Sequence, residues 1–418
     1  MSFPCDGLAM GDACAPAMNK EANTLVKSNE FEKKQRRSFN PGRLRELRIA
    51  YGLTPERLGE ITDLGGARIT ELEHGHGPLL PSERAALASA LQVDSDALGQ
   101  AIPARPELSG IPFVCTAQPP SRITIEESEI WLRYLAQLYG VVSKPFASMN
   151  GQQMYFALLQ NKLEYPFDAG DPNYLDPAGV ETFAGRLRDL LVIAQDIPVD
   201  GVLAHLESAG ALIGRAPLAN KQYAAAAWIN GRAVVVLNNQ LRAVQNRFVA
   251  LWAMFHLMLH RSVSAYDMDD SVRFEHFSQQ ARNAALAFLM PANSFSPELR
   301  QTMATGDWRG LCRRWGVTER NILQRANMLN AWSPELAAVL EAERLAVDPK
   351  SMPVSEADYP VYLKKIVMKS NEQLQVTPQD LAERANLTAA QVAALASFAH
   401  TTETPSIRRD NVVVLRRA

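Results

Sequence analysis

Two histidines stand four residues apart in the run His256-Leu257-Met258-Leu259-His260. On an α-helix that spacing puts both imidazoles on one face, where a histidine pair can ligate a divalent metal. Glu275 and His276 are the nearest further candidates, a displaced set that would place a carboxylate and a third imidazole beside the pair. Metal-assisted hydrolysis asks for more than ligands, because a base must also activate the bound water. No Glu adjoins His256 or separates it from His260, which leaves the other reading open: helix histidines hydrogen-bonded as structure. The four cysteines, Cys5, Cys14, Cys115 and Cys312, are scattered without metal-type spacing and read as free thiols.

The elements that must position these groups are legible from periodicity. The histidines sit on an apolar helix expected over Gln245–Arg261, followed by a second helix over Glu275–Leu289 that stops at Met290-Pro291. Ahead of them, Ala224–Ile229 and Ala233–Leu237 flank Asn230-Gly231, a pair that tolerates the positive φ angles of a type I′ turn, so a β-hairpin is expected. A helix over Val202–Ser208, a stop at Gly210 and a strand over Ala211–Ile213 precede the hairpin. A helical pair spans Cys312–Leu329 around Gly316-Val317-Thr318. Longer helices are expected over Ile125–Gln160 and Gly179–Gln195.

The remainder of the chain divides by composition. Residues up to about Asn40 are polar, with Lys33, Lys34, Arg36 and Arg37 in one run, and read either as a solvated leader or as a disordered basic arm. Five short helices follow over Arg43–Tyr51, Thr54–Thr62, Gly66–Glu73, Pro81–Leu91 and Ser95–Gln100, separated by Gly, Pro and Asp breakers. Pro103, Pro106, Pro112, Pro119 and Pro120 mark a linker over 102–122. A body over 123–335 and a helical C-terminal region over 336–418 complete the division. In that last region Pro378–Leu387 and Ala389–Ala399 have helix-turn-helix spacing but few basic or amide side chains, which favours a packing hairpin, and Arg408, Arg409, Arg416 and Arg417 close the chain. The expected fold class is α+β and mostly helical.

His205-Leu206-Glu207-Ser208-Ala209-Gly210, the hairpin from Trp228 to Asn238, Arg247-Phe248 leading to His256, Leu289-Met290-Pro291 and Arg314-Trp315-Gly316-Val317-Thr318 occur in an order that resembles the ImmA/IrrE metallopeptidase-like family. In that family the long helix carries His-Glu-x-x-His, two zinc ligands and a catalytic glutamate. The resemblance places Trp252 at the first ligand, Ala253 at the catalytic Glu, His256 at the second ligand and Gln280 at the third, acidic ligand. An indole only donates, a methyl offers nothing and a carboxamide is a feeble zinc ligand. The expectation is a zincin-like domain without catalytic residues, metal or other cofactor.

Leu53-Thr54-Pro55-Glu56-Arg57-Leu58-Gly59-Glu60-Ile61 and Leu64-Gly65-Gly66-Ala67-Arg68-Ile69-Thr70-Glu71-Leu72 resemble the XRE family of phage-repressor and Cro-like helix-turn-helix domains. Thr54 stands at the cap of the second helix. Leu58, Ile61, Leu64, Ile69 and Leu72 fall where the two helices would pack, turning the other side of Gly66–Glu71 toward a major groove. The residues this implies at the DNA are Arg43, Thr54, Arg57, Gly66, Ala67, Arg68, Thr70 and Glu71. Pro55 and Gly65 depart from the Gln and Ser common at those positions in the family.

Composition sets the outer limits. The 418 residues are 47% hydrophobic and 21% charged, with a net charge of −2 and no apolar run of membrane-spanning length, so any contact with nucleic acid depends on a local basic surface. The start lacks the basic and apolar regions of a secretion signal, and the expected location is the cytoplasm. The joint resemblance implies a bacterial regulator of the kind found on prophages and mobile elements. It would be a homodimer on promoter or operator DNA, with a regulatory protein partner as a further possibility. An active peptidase with a displaced metal site, cleaving a repressor, and a protein-binding adaptor or antirepressor are the alternatives.

Overall fold

The computed structural model describes residues 39–147, 175–219, 221–346 and 358–398. The basic run Lys33–Arg37, the expected helix beyond residue 147, Cys5, Cys14 and the arginine-rich tail lie outside the described residues. The described residues divide into two compact units, one of 39–45 with 55–102 and the other of 46–54 with those from 103 onward.

Helix α1 (Pro41–Ala50), whose first half belongs to the first unit and whose second half to the other, begins at Asn40, whose Oδ1 accepts from the Arg43 amide at 3.3 Å. Helices α2 (Pro55–Thr62), α3 (Gly66–Glu73) and α4 (Pro81–Ala90) follow, and a single 3-10 turn covers Ser95–Gly99. Leu58, Ile69, Leu72, Leu87, Leu91 and Leu98 are all fully buried. The α2–α3 approach is set by glycine: a Cβ on Gly59 would collide with the Gly65 carbonyl carbon and the Gly66 nitrogen. Ile61 is 36% exposed rather than packed between the helices as its spacing suggested. With backbone meeting backbone at Gly59, the crossing closes without it.

The second unit is built on a four-stranded sheet of order β1-β3-β4-β2, from β1 (Phe113–Thr116), β2 (Leu212–Ala216), β3 (Gln222–Ile229) and β4 (Arg232–Asn238). The hairpin is as expected, with Asn230 and Gly231 at φ 50° and 70°. β2 runs parallel to β4, and β1 pairs antiparallel with β3, Phe113 opposite Ala226. The proline-rich linker therefore contains a strand, because Phe113-Val114-Cys115 is an apolar triplet short enough to fit between prolines and cover the edge of β3.

Both faces of the sheet are covered. One packs on helices α6 (Pro177–Leu190), α7 (Val202–Ser208), α8 (Ala243–Leu259), α10 (Ser271–Leu289) and α13 (Glu319–Met328). Short α9 (Ala265–Asp269) leads into α10, and α11 (Ala292–Thr305) and α12 (Trp308–Trp315) link it to α13; α14 (Pro334–Ala346) follows. On the opposite face lie α5 (Arg122–Ala147), α15 (Tyr362–Leu374), α16 (Pro378–Ala385) and α17 (Ala389–Leu395). Strands buried on both sides explain why Val234, Val235 and Val236 are consecutive and all at most 1% exposed. The C-terminal helices are thus a layer of the same body, not a region apart. Leu381, Ala385, Val392 and Leu395 are buried in it, as a packing hairpin requires.

Candidate functional site

Helix α8 is apolar nearly all round because it lies between the sheet and α10, and every residue from Val249 to Leu259 is buried. Asp270 starts α10 by accepting from the amides of Val272 and Arg273, both at 2.9 Å. Trp228 of β3 donates through Nε1 to the Leu257 carbonyl at 3.0 Å, which fixes α8 against the sheet.

Between α8 and α10 runs a chain of hydrogen bonds. Trp252 Nε1 donates to His256 Nε2 at 3.0 Å, His256 Nδ1 lies 3.0 Å from His260 Nδ1, and His260 Nε2 lies 3.1 Å from Gln280 Oε1. The indole is a donor only, and that fixes the direction of the rest. His256 must accept at Nε2, so its Nδ1–H donates to His260 Nδ1; the His260 proton is then on Nε2, which donates to the Gln280 oxygen. Gln280 Nε2 ends the chain on the Leu175 carbonyl and on His276 Nε2, both at 3.2 Å.

The electrostatics agree with two neutral rings. Burial, then His260, then Arg282 hold His256 well below the ordinary imidazole value. Burial pushes His260 down to about 4, with the Gln280 hydrogen bond opposing and His276 adding to it. Phe113 stacks on His256 at 5.1 Å between centroids, 15° from parallel. The ring is closed in from a strand far away in sequence.

Residues 206–327 match the IrrE N-terminal-like domain of peptidase family M78. No curated protein and no solved structure matches the chain. The matched segment contains β3, β4, α12 and nearly all of α13, together with α8 and α10, the two helices that carry Trp252, His256 and Gln280.

The residues present do not fit a zinc ion in this segment. Both nitrogens of His256 are hydrogen-bonded, the indole beside it offers a proton where a ligand would offer a lone pair, and Ala253 is a fully buried methyl. Among the described residues no group of three His, Cys, Asp or Glu side chains is placed to hold a metal. Of the displaced set, Glu275 is exposed and paired with Arg282 at 2.5 Å, and His276 meets the chain at Gln280, 3.2 Å from its Nε2. His260 and Phe113 are the members of the site that the aligned pattern did not supply. The four-residue spacing pointed to the first, while nothing local pointed to the second.

The residues expected at DNA are scattered in character. Arg43 is fully buried, which removes it as a surface contact; its place on the inner side of α1 follows the same period as Leu44 and Leu47. Gly66 is a packing position, since a Cβ there would meet the Glu56 backbone at 2.9 Å. Thr54 is exposed just before α2, and Arg57 is exposed and paired with Glu60 at 2.7 Å. Ala67, Thr70 and Glu71 are exposed along α3, with Thr70 Oγ1 turned back to the Gly66 carbonyl at 3.0 Å. Arg68 is engaged within its own unit, by Glu83 at 2.9 and 3.1 Å, Glu71 at 3.2 Å and the Pro78 carbonyl at 2.9 Å. That partner holds the Glu83 carboxyl below the usual carboxylate range.

Proposed function

We propose that the chain is a sequence-specific DNA-binding regulator whose IrrE-like body acts without zinc, as a sensor, dimerisation surface or partner dock, and is not a peptidase. The observation that carries the second half is the Trp252–His256 bond, which occupies with a donor the nitrogen a metal would need. The first half rests on the small helical unit and its resemblance to XRE readers, with Ala67, Thr70 and Glu71 exposed on one helix. Double-stranded promoter DNA is the partner, read by a homodimer through two half-sites. The location this implies is the cytoplasm; among the described residues no helix is long and apolar enough to cross a membrane.

Genome-wide mapping of bound sites is the test of the DNA half. A limited set of promoter peaks is expected, lost when Arg68 and Thr70 are both replaced by Ala; unchanged peaks in that variant exclude α3 as the reading helix. For the body, stoichiometric zinc in the purified chain together with chelator-sensitive proteolysis would overturn the reading.

A further inference from the structure

The indole that opens the hydrogen-bonded chain also lines a cavity of about 160 Å³. Tyr223 and Phe248 stand against it, their ring centroids 5.9 and 6.2 Å from that of Trp252. Arg282 lies over the Trp252 ring at 5.5 Å and is anchored from behind by Glu275 at 2.5 Å. Arg320, exposed in the first turn of α13, lines the same cavity, and no Asp or Glu is among the described residues that do.

We propose that this cavity binds a small aromatic carboxylate, with the ring among Tyr223, Phe248 and Trp252 and the carboxylate toward Arg282 and Arg320. The size decides the ring count: an apolar cavity of ~150 Å³ holds one benzene, so the space here takes a single six-membered ring and leaves a substituent at the mouth. Aromatic walls alone would also attract a quaternary ammonium ion. Two guanidinium groups at the same cavity oppose that cation and offer a carboxylate the planar, bidentate donors it pairs with best. The bulk of Trp252, which ends the zinc chemistry at its position, supplies the wall. This names the class of signal for the sensor role proposed above and deepens that reading, although the cavity's chemistry does not depend on DNA.

Benzoate titrated into the full chain and followed by calorimetry tests the assignment. Saturable 1:1 binding is expected, with benzamide weaker by about tenfold, or about 1.4 kcal/mol. Arg320→Gln is expected to weaken benzoate by about the same factor and to leave benzamide unchanged. Ala117→Trp, at an exposed position on the rim, is expected to block both without disturbing the core. No saturable benzoate binding, equal affinity for benzamide, or preferential binding of tetramethylammonium overturns the proposal. Measuring operator affinity on the same samples keeps the two readings separate: a chain that binds benzoate but no DNA retains the site and loses the regulator, and one that binds DNA but no benzoate does the reverse.

Discussion

Trp252 and His256 face each other across one turn of α8 as donor and acceptor, 3.0 Å apart. In the pattern that the resemblance implies, the same two positions hold a pair of metal ligands. Replacing one imidazole by an indole reverses the polarity of the contact: two lone pairs aimed at a cation become one N–H aimed at one lone pair. The neighbouring rings then have a single consistent proton arrangement, and the buried polar atoms are satisfied within the protein.

If the side chains alone decide the matter, restoring them should restore the ion. The triple variant Trp252→His, Ala253→Glu, Gln280→Glu is expected to carry about one zinc per chain, measured by atomic absorption after dialysis, while the parent chain carries none. A triple variant that folds and stays metal-free would show that the backbone, not only the residues, has left the geometry of a zinc site.

The histidine pair should make the protein acid-sensitive. Buried neutral rings bind fewer protons than they do unfolded, so their contribution to stability is complete above about pH 6.5 and is lost as pH falls toward the folded value. For His260, a descent from 6.5 to about 4 corresponds to roughly 3 kcal/mol. Denaturant unfolding at steps between pH 7 and pH 4 should show this slope, and His260→Gln should make it shallower; an unchanged slope in the variant would place the acid sensitivity elsewhere.

Glu207 should act in the opposite sense. Its carboxyl is buried between α7 and the start of α15, where it accepts from the Val361 and Tyr362 amides, both at 3.2 Å. Burial outweighs those two hydrogen bonds and the attraction of Lys365, and pushes it up to about 8. The folded state therefore binds the extra proton, and stability declines as pH rises from about 4.5 to about 8, by an amount on the order of 4 kcal/mol. Glu207→Gln, which cannot ionise, should flatten that limb in unfolding experiments at pH 5 and pH 8. An equal decline in the variant would exonerate Glu207.

How far the sequence announces this architecture can be judged residue by residue. Asn230-Gly231 declares its hairpin because the turn needs positive φ at both positions and these residues tolerate it. The helix over Val202–Ser208 stops just ahead of Gly210 as expected, and Thr318 caps α13, whereas α10 starts at Ser271 on its Asp270 cap, four residues before the Glu275 that periodicity suggests. β1 is hidden because a strand of four residues between prolines acquires its identity only from pairing with β3. The C-terminal helices read as a separate domain because their apolar faces say that something covers them, but not that it is the far side of the sheet. At the site, the four-residue spacing points to His256 and His260, while Trp252 and Gln280 enter only as positions that the resemblance implies. Phe113 is not legible, since 143 positions separate it from His256 and only the β1–β3 pairing brings the rings together.

The capture of Arg68 yields the last prediction. Glu83 holds this guanidinium by two oxygens while also accepting from the Leu80 amide at 2.9 Å, so the carboxylate is fixed at the start of α4 and the arginine is fixed with it. An arginine held this way cannot also make a bidentate contact to guanine. Glu83→Gln retains one acceptor oxygen and the size of the side chain but removes the charge that holds Arg68. If Arg68 reads DNA once released, the variant should bind operator more tightly than the parent and lose affinity more steeply as salt is raised, by about one further phosphate or base contact in the salt slope. Fluorescence anisotropy with an operator fragment over a range of salt concentrations measures both quantities. If Arg68 serves only to brace α3 against α4, the same variant should bind DNA no better and should unfold more easily, and the base-reading role then passes to Thr70 and its exposed neighbours on α3.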